Sequence, residues 1–188
     1  MKVIFLDHDG VICLHDNWGS RLKKQKEWGG RKLSMGLNEI PLEYRFDNFD
    51  KKAIEVLNEI LEKTGAEIVV SSDWKRWATV EEMGQYYESQ GIIKKPIGIT
   101  TKSLPQGLDY FHRNTELEET RSYEILEWLK SHPEVTHWVA VDDLNMSERF
   151  GEISGNYQWG LKNFVHTPKS NEGIKQSGVK EKILKFLI

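Results

Sequence analysis

Asp7 and Asp9 follow directly on the apolar run Val3–Leu6. A chain that needed only a core would place no acids there. A second pair, Asp142 and Asp143, follows THWVAV (136–141), and Ser71 and Ser72 follow EIVV (67–70). Four carboxylates gathered at one edge repel one another unless a cation sits among them. A hard divalent ion with oxygen ligands, most simply Mg²⁺, meets that need. A metal among carboxylates also suits phosphoryl chemistry, in which negative charge must be neutralised. One carboxylate can then attack phosphorus. A second can protonate the leaving oxygen and later activate water. The Asp-x-Asp spacing allows this, because residues just past a strand can curl over its end, and Gly10 lets the chain turn sharply there.

These residues need strands to carry them. Val3–Leu6 is short and partly β-branched and reads as a buried strand. EIVVSS (67–72), IGIT (97–100), THWVAV (136–141) and NFVHT (163–167) read as further strands. Helices are expected at 50–63, with Asp50 as N-cap and Gly65 as stop, and at 79–91, where Thr79 and Glu82 form a capping box. Two more are expected at 116–132 and 180–188. Alternating strands and helices predict a three-layer α/β, Rossmann-like fold around a parallel sheet. Ligands of such sheets bind at the carboxyl ends of the strands, where Asp7, Asp9, Ser71, Asp142 and Asp143 would all lie.

Composition narrows the class. The 188 residues suffice for one domain, 1–188, with a real core. A net charge of −3 argues against wholesale coating of nucleic acid, though not against a local basic patch. Cys13 is the one cysteine, so no internal disulfide forms. No apolar run approaches the roughly 20 residues of a membrane span, and the first residues lack a signal-peptide layout. A cytoplasmic location with no membrane partner is expected.

The motifs together resemble the haloacid dehalogenase (HAD)-like superfamily of phosphohydrolases. IFLDHDG matches the apolar strand followed by Asp-x-Asp-Gly, IVVSS the strand ending in Ser or Thr, and VAVDD the strand followed by acids. SSDWK, RSYEILEWL, VAVDD and FVHTPKSNEG further resemble the phosphatase modules of polynucleotide kinase and related nucleic-acid-repair proteins. No GxxxxGK[ST] segment accompanies them, so no kinase half is expected within these residues.

The resemblance implies roles. Asp7 would be the nucleophile that forms an aspartyl-phosphate, and Asp9 the general acid/base, with its carbonyl also on the metal. Ser71 would bind the phosphate, with Ser72 its rival. Asp142 and Asp143 would complete a Mg²⁺ site, Asp143 by direct coordination. Arg121, 21 residues before Asp142 and near a helix start, would be the third-motif cation, with Lys102 as runner-up. The implied reaction is Mg²⁺-dependent phosphomonoester hydrolysis, on nucleic-acid 3′-phosphate ends or nucleotides. A phosphatase for a small metabolite such as a sugar phosphate and a catalytically silent binding module are the alternatives.

The stretch 14–49 would be a small cap inserted after the first strand. Within it, 17–36 holds Arg21, Lys23, Lys24, Lys26, Arg31 and Lys32 against the single acid Glu27, with Trp18 and Trp28 interleaved. Such a segment suits phosphates through charge and bases through stacking. Lys75 and Arg76 either add to that charge or lie at the surface. His8 is expected to turn away from the attacking face, Cys13 to be a buried small residue, and Trp128 and Trp138 to pack in the core.

Overall fold

The computed structural model describes residues 1–30, 35–101, 117–148 and 160–188. Five parallel strands, β1 (Lys2–Leu6), β2 (Glu67–Val70), β3 (Gly98–Ile99), β4 (His137–Asp142) and β5 (Phe164–His166), lie in the order β3-β2-β1-β4-β5. Side chains alternate across a strand, and β1 shows the consequence. Ile4 and Leu6 join one core with Ile68, Val70, Val139 and Val141. Val3 and Phe5 join a second with Val69 and Ala140. Helices α3 (Lys51–Thr64), α4 (Val80–Gln90) and α6 (Val179–Leu187) cover the first face through Leu57, Leu61, Met83, Tyr87 and Ile183. Helix α5 (Leu117–Lys130) covers the second through Ile125. Trp128 and Trp138 both meet the Phe5 ring edge-on, at 5.4 and 5.9 Å. The layers are therefore helix, sheet, helix. No helix among the described residues is long and apolar enough to cross a membrane.

The helix ends follow the local chemistry. The Asp50 side chain accepts from the Ala53 amide at 2.8 Å, and Gly65 closes α3 in the left-handed region at φ 67°. Thr79 and Glu82 exchange side-chain bonds to each other's amides at the start of α4. A cap of this kind stabilises by about 1 kcal/mol.

Register decides where the site forms. Leu6 pairs with Val70 on one side and Val141 on the other. The next residues, Asp7, Ser71 and Asp142, therefore emerge level with one another at the carboxyl ends of three neighbouring strands. The Asp7 amide donates to Val141 O at 3.1 Å and the Ser71 amide to Leu6 O at 2.9 Å, so the ladder continues one step into the site.

Segment 14–49 holds α1 (Ser20–Trp28) and α2 (Leu42–Arg45), besides single helical turns at His15–Asn17 and Leu37–Glu39. Helix α1 escapes a search for apolar periodicity because its buried residue is Gln25, whose Nε2 donates to Tyr44 O at 2.8 Å. Its N-cap is Gly19, which has no side chain to offer. The carboxylate of Asp47 takes that part, accepting from the Arg21 amide at 2.7 Å. Buried Arg45 donates to the carbonyls of Ile40, Trp77 and Asn38 and to Glu82, which ties α2 to α4. These polar contacts add to the burial of Leu14, Ile40, Phe46 and Phe49, which anchors the segment to the core.

Candidate active site

The turn after β1 is wound tightly on one carbonyl. His8 O accepts from the amides of Val11, Ile12 and Cys13 at 3.2, 2.9 and 2.8 Å. Gly10 has φ 69°, and a Cβ there would stand 2.5 Å from Asp143 Oδ2. Position 10 thus excludes side chains twice, by conformation and by the approach of Asp143. Thr167 Oγ1 donates to Gly10 O at 3.2 Å and pins the turn from the far side.

Asp7 is 3% exposed. Arg121 reaches it from α5, with Nη1 at 3.2 Å from Asp7 Oδ2 and 2.8 Å from Asp142 Oδ2. Asp73 lies 3.8 Å from Nη2 of the same guanidinium. Burial works against the arginine's charge, but Asp7 and Asp142 outweigh it and raise its pKa. The carboxylates move the other way. Burial raises Asp7 despite the nearby Arg121. Burial and the charge of Asp7 raise Asp142 well above the usual carboxylate range, and the same two causes push Asp143 up to about 6. Oxygens of Asp7, Asp142 and Asp143 all lie within 4.8 Å of one another. One guanidinium cannot neutralise three acids, so the cluster is short of positive charge. Its donors are all carboxylate oxygens, the set that fits a hard divalent cation such as Mg²⁺.

The two serines differ. Ser72 Oγ accepts from the Trp74 amide at 3.4 Å, capping the turn Asp73–Arg76, and also reaches Asp7. Ser71 Oγ is buried and has no partner among the described residues. A buried hydroxyl left unpaired costs about 1–3 kcal/mol. A ligand oxygen at the ends of β1 and β2 would supply the missing bond.

Asp9 stands apart from the acid cluster. Its Oδ2 accepts from Trp74 Nε1 at 2.9 Å, and the Cys13 thiol also bonds its carboxyl group. Burial, then the charge of Asp7, raises its pKa. Trp74 escapes a reading based on charged groups. The signal for it is a tryptophan, an aromatic with one N–H, two residues beyond the second-strand serines. Lys75, which the sequence offers either as added charge or as a surface residue, has a buried ammonium that is ion-paired to Glu124 and donates to Thr100 Oγ1 at 2.8 Å. It is not a surface residue, whereas Arg76 is exposed and pairs with Asp73 at 3.4 Å.

His8 turns into an aromatic cluster, with Nε2 2.7 Å from the Tyr87 hydroxyl and its ring edge-on to Trp74 at 4.7 Å. Burial, then the charge of Arg121, lowers its pKa to about 3. The folded value lies below the ordinary 6.5, so the unfolded chain takes up the proton first. Stability held above pH 6.5 is therefore lost as pH falls toward about 3. The loss expected by pH 4 is roughly 3 kcal/mol. In urea melts between pH 7 and 4, His8→Gln should decline less steeply than the native protein; parallel slopes would refute this.

The segment 14–49 presents its basic residues unevenly. Lys23 and Lys26 are exposed. Lys24 donates to Asn48 Oδ1 at 2.9 Å and sits 5.6 Å from the Tyr86 ring centre. Trp18 is 44% exposed, with its indole N–H on Cys13 O at 3.2 Å, beside the Asp9 turn. Trp28 is stacked on Tyr44 at 5.2 Å, and a Cβ at Gly30 would fall 2.5 Å from the Trp28 ring. Lys102, Arg31 and Lys32 lie outside the described residues.

Comparison with known proteins adds one finding. A family model described as "HAD domain in Swiss Army Knife RNA repair proteins" matches residues 3–178. No curated protein and no solved structure matches the chain. The match runs through every strand of the sheet and every acid at its edge. The chain belongs to this family and is an HAD-like phosphatase.

Proposed function

We propose that this phosphatase removes terminal phosphate from nucleic-acid 3′ ends or nucleotides, through an aspartyl-phosphate on Asp7. The observation that carries the reading is the placement of Asp7 beside Arg121, one strand from the unpartnered Ser71 hydroxyl. In the first step Ser71 Oγ donates to a phosphate oxygen and Arg121 offsets the charge on Asp7. An Asp7 oxygen attacks phosphorus, the phosphorus–ester oxygen bond breaks, and Asp9 gives its proton to the departing oxygen. In the second step Asp9 takes a proton from water as the water attacks the same phosphorus. Inorganic phosphate leaves and Asp7 is restored. Asp7, Asp142, Asp143 and the carbonyl of Asp9 would hold Mg²⁺, which when bound neutralises the charge gathered between acids and phosphate.

The substrate class rests on the family's RNA repair proteins and on segment 14–49, read as a cap. Helix α1 carries Lys23, Lys24 and Lys26, with Trp18 at the side of Asp9, where the body of a substrate would leave the site. Trp28 is better read as a structural partner of Tyr44 than as a platform for a base. The test is phosphate release with Mg²⁺ from 3′-phosphorylated oligonucleotides, mononucleotides and sugar phosphates. Replacing Lys23, Lys24 and Lys26 by Ala should raise KM for the oligonucleotide at least tenfold more than for p-nitrophenyl phosphate, on the order expected from lost phosphate contacts. The slope of log affinity against log salt should flatten by about 2 if all three touch single-strand phosphates. Equal KM changes on both substrates would remove the cap from substrate binding, and preferential turnover of sugar phosphates would move the substrate to small metabolites.

A further inference from the structure

The proton carrier of a phosphatase must meet the leaving oxygen in line with the attacking carboxylate, so something has to fix its carboxyl group. In this molecule Asp7 and Asp142 are held by Arg121, and Asp142 also by the backbone, whereas Asp9 is held by the indole of Trp74 and the thiol of Cys13. Trp74 is 7% exposed. Its ring stacks on Phe46 at 4.8 Å and 6°, and on Phe49 at 5.4 Å and 17°. His8 and Tyr86 meet it edge-on. Its own amide donates to Ser72 Oγ at 3.4 Å. The indole therefore cannot swing, and its one N–H has one place to point, Asp9 Oδ2 at 2.9 Å. Phe46 directly follows α2 and Phe49 directly precedes the cap of α3, so the wall behind the indole is built where segment 14–49 rejoins the core.

We propose that Trp74 is a positioning residue: its indole N–H holds Oδ2 of Asp9 and leaves Oδ1 to carry the proton to the leaving oxygen. This rests on the reading of Asp9 as the general acid. An indole donor suits the task, since it gives a hydrogen bond and has no proton of its own to exchange near neutral pH. A misplacement of about 1 Å at a reacting group can cost on the order of 10²-fold in rate.

The test exploits leaving groups. A nucleoside 3′-phosphate departs as an alkoxide and needs the proton, whereas p-nitrophenyl phosphate departs as a stable anion and needs it little. The value of kcat/KM covers the step in which that group leaves. Trp74→Phe keeps an aromatic ring and removes the N–H. It should lower kcat/KM on the nucleoside 3′-phosphate at least about tenfold more than on p-nitrophenyl phosphate. Replacing Trp74 by benzothienylalanine, which keeps the bicyclic shape and lacks only the N–H, should give the same ratio even if Trp74→Phe folds poorly. Asp9→Asn is the reference and should show the same discrimination, more strongly. If it does and neither Trp74 variant does, the positioning role is overturned. If Asp9→Asn shows none, the acid assignment falls and the inference with it.

Discussion

Asp7→Asn is expected to release phosphate at least about 10⁴-fold more slowly than the native chain, the order of loss when a covalent nucleophile is removed. The same variant should unfold at an equal or higher temperature. The two halves have one cause. Asp7 is 3% exposed and its pKa is raised by burial, so its negative charge is costly in the folded protein. An amide of the same shape removes that cost and keeps an oxygen for Arg121 to bond. It cannot attack phosphorus. A residue that served only to pack or to bridge strands would lose stability when changed, not catalysis. Measuring phosphate release and thermal denaturation on one preparation decides it. Near-native turnover would remove the aspartyl-phosphate route, and a collapse of stability would leave the lost activity without meaning.

What could be read in the sequence follows from how locally each feature is determined. The ends of β1, β2 and β4 are each marked by an apolar run that stops at a polar residue. Period and punctuation suffice to place Asp7, Ser71 and Asp142 on strand ends. The caps of α3 and α4 are legible for the same reason, because Asp50, Gly65, Thr79 and Glu82 act within a few residues of themselves. Arg121 is legible only through its spacing in a resembling family, since nothing on its own helix says that it will reach two acids at the ends of β1 and β4. Helix α1 is hidden because its N-terminal carboxylate, Asp47, comes from 26 residues away and its buried side chain is a glutamine. Trp74 and the burial and partner of Lys75 are hidden by another route. A tryptophan's N–H and a lysine's ammonium acquire meaning from partners 65 and 49 residues distant, Asp9 and Glu124, which no local pattern connects.

Arg121→Met should damage both stability and turnover, and a divalent cation should restore much of the first. The guanidinium is 6% exposed and bonds Asp142 at 2.8 Å and Asp7 at 3.2 Å. Removing one partner of a buried ion pair typically costs about 3–5 kcal/mol, because the remaining charge is left uncompensated. Here two carboxylates would be left, and they can lower that cost by taking up protons. Their folded pKa values would then lie still further above the ordinary 3.8, where burial already holds both. Raised carboxylates favour folding at low pH and lose that benefit as pH rises through the folded values. The stability gap between variant and native protein should therefore widen from pH 5 to pH 8. Mg²⁺ supplies the missing positive charge, so the rise in melting temperature on adding it should be larger for Arg121→Met than for the native chain. Turnover should remain depressed by roughly 10²–10³-fold even with Mg²⁺, the usual loss for one donor aimed at developing charge. Unchanged melting and turnover would show that the third-motif cation lies elsewhere, and Lys102 would take its place.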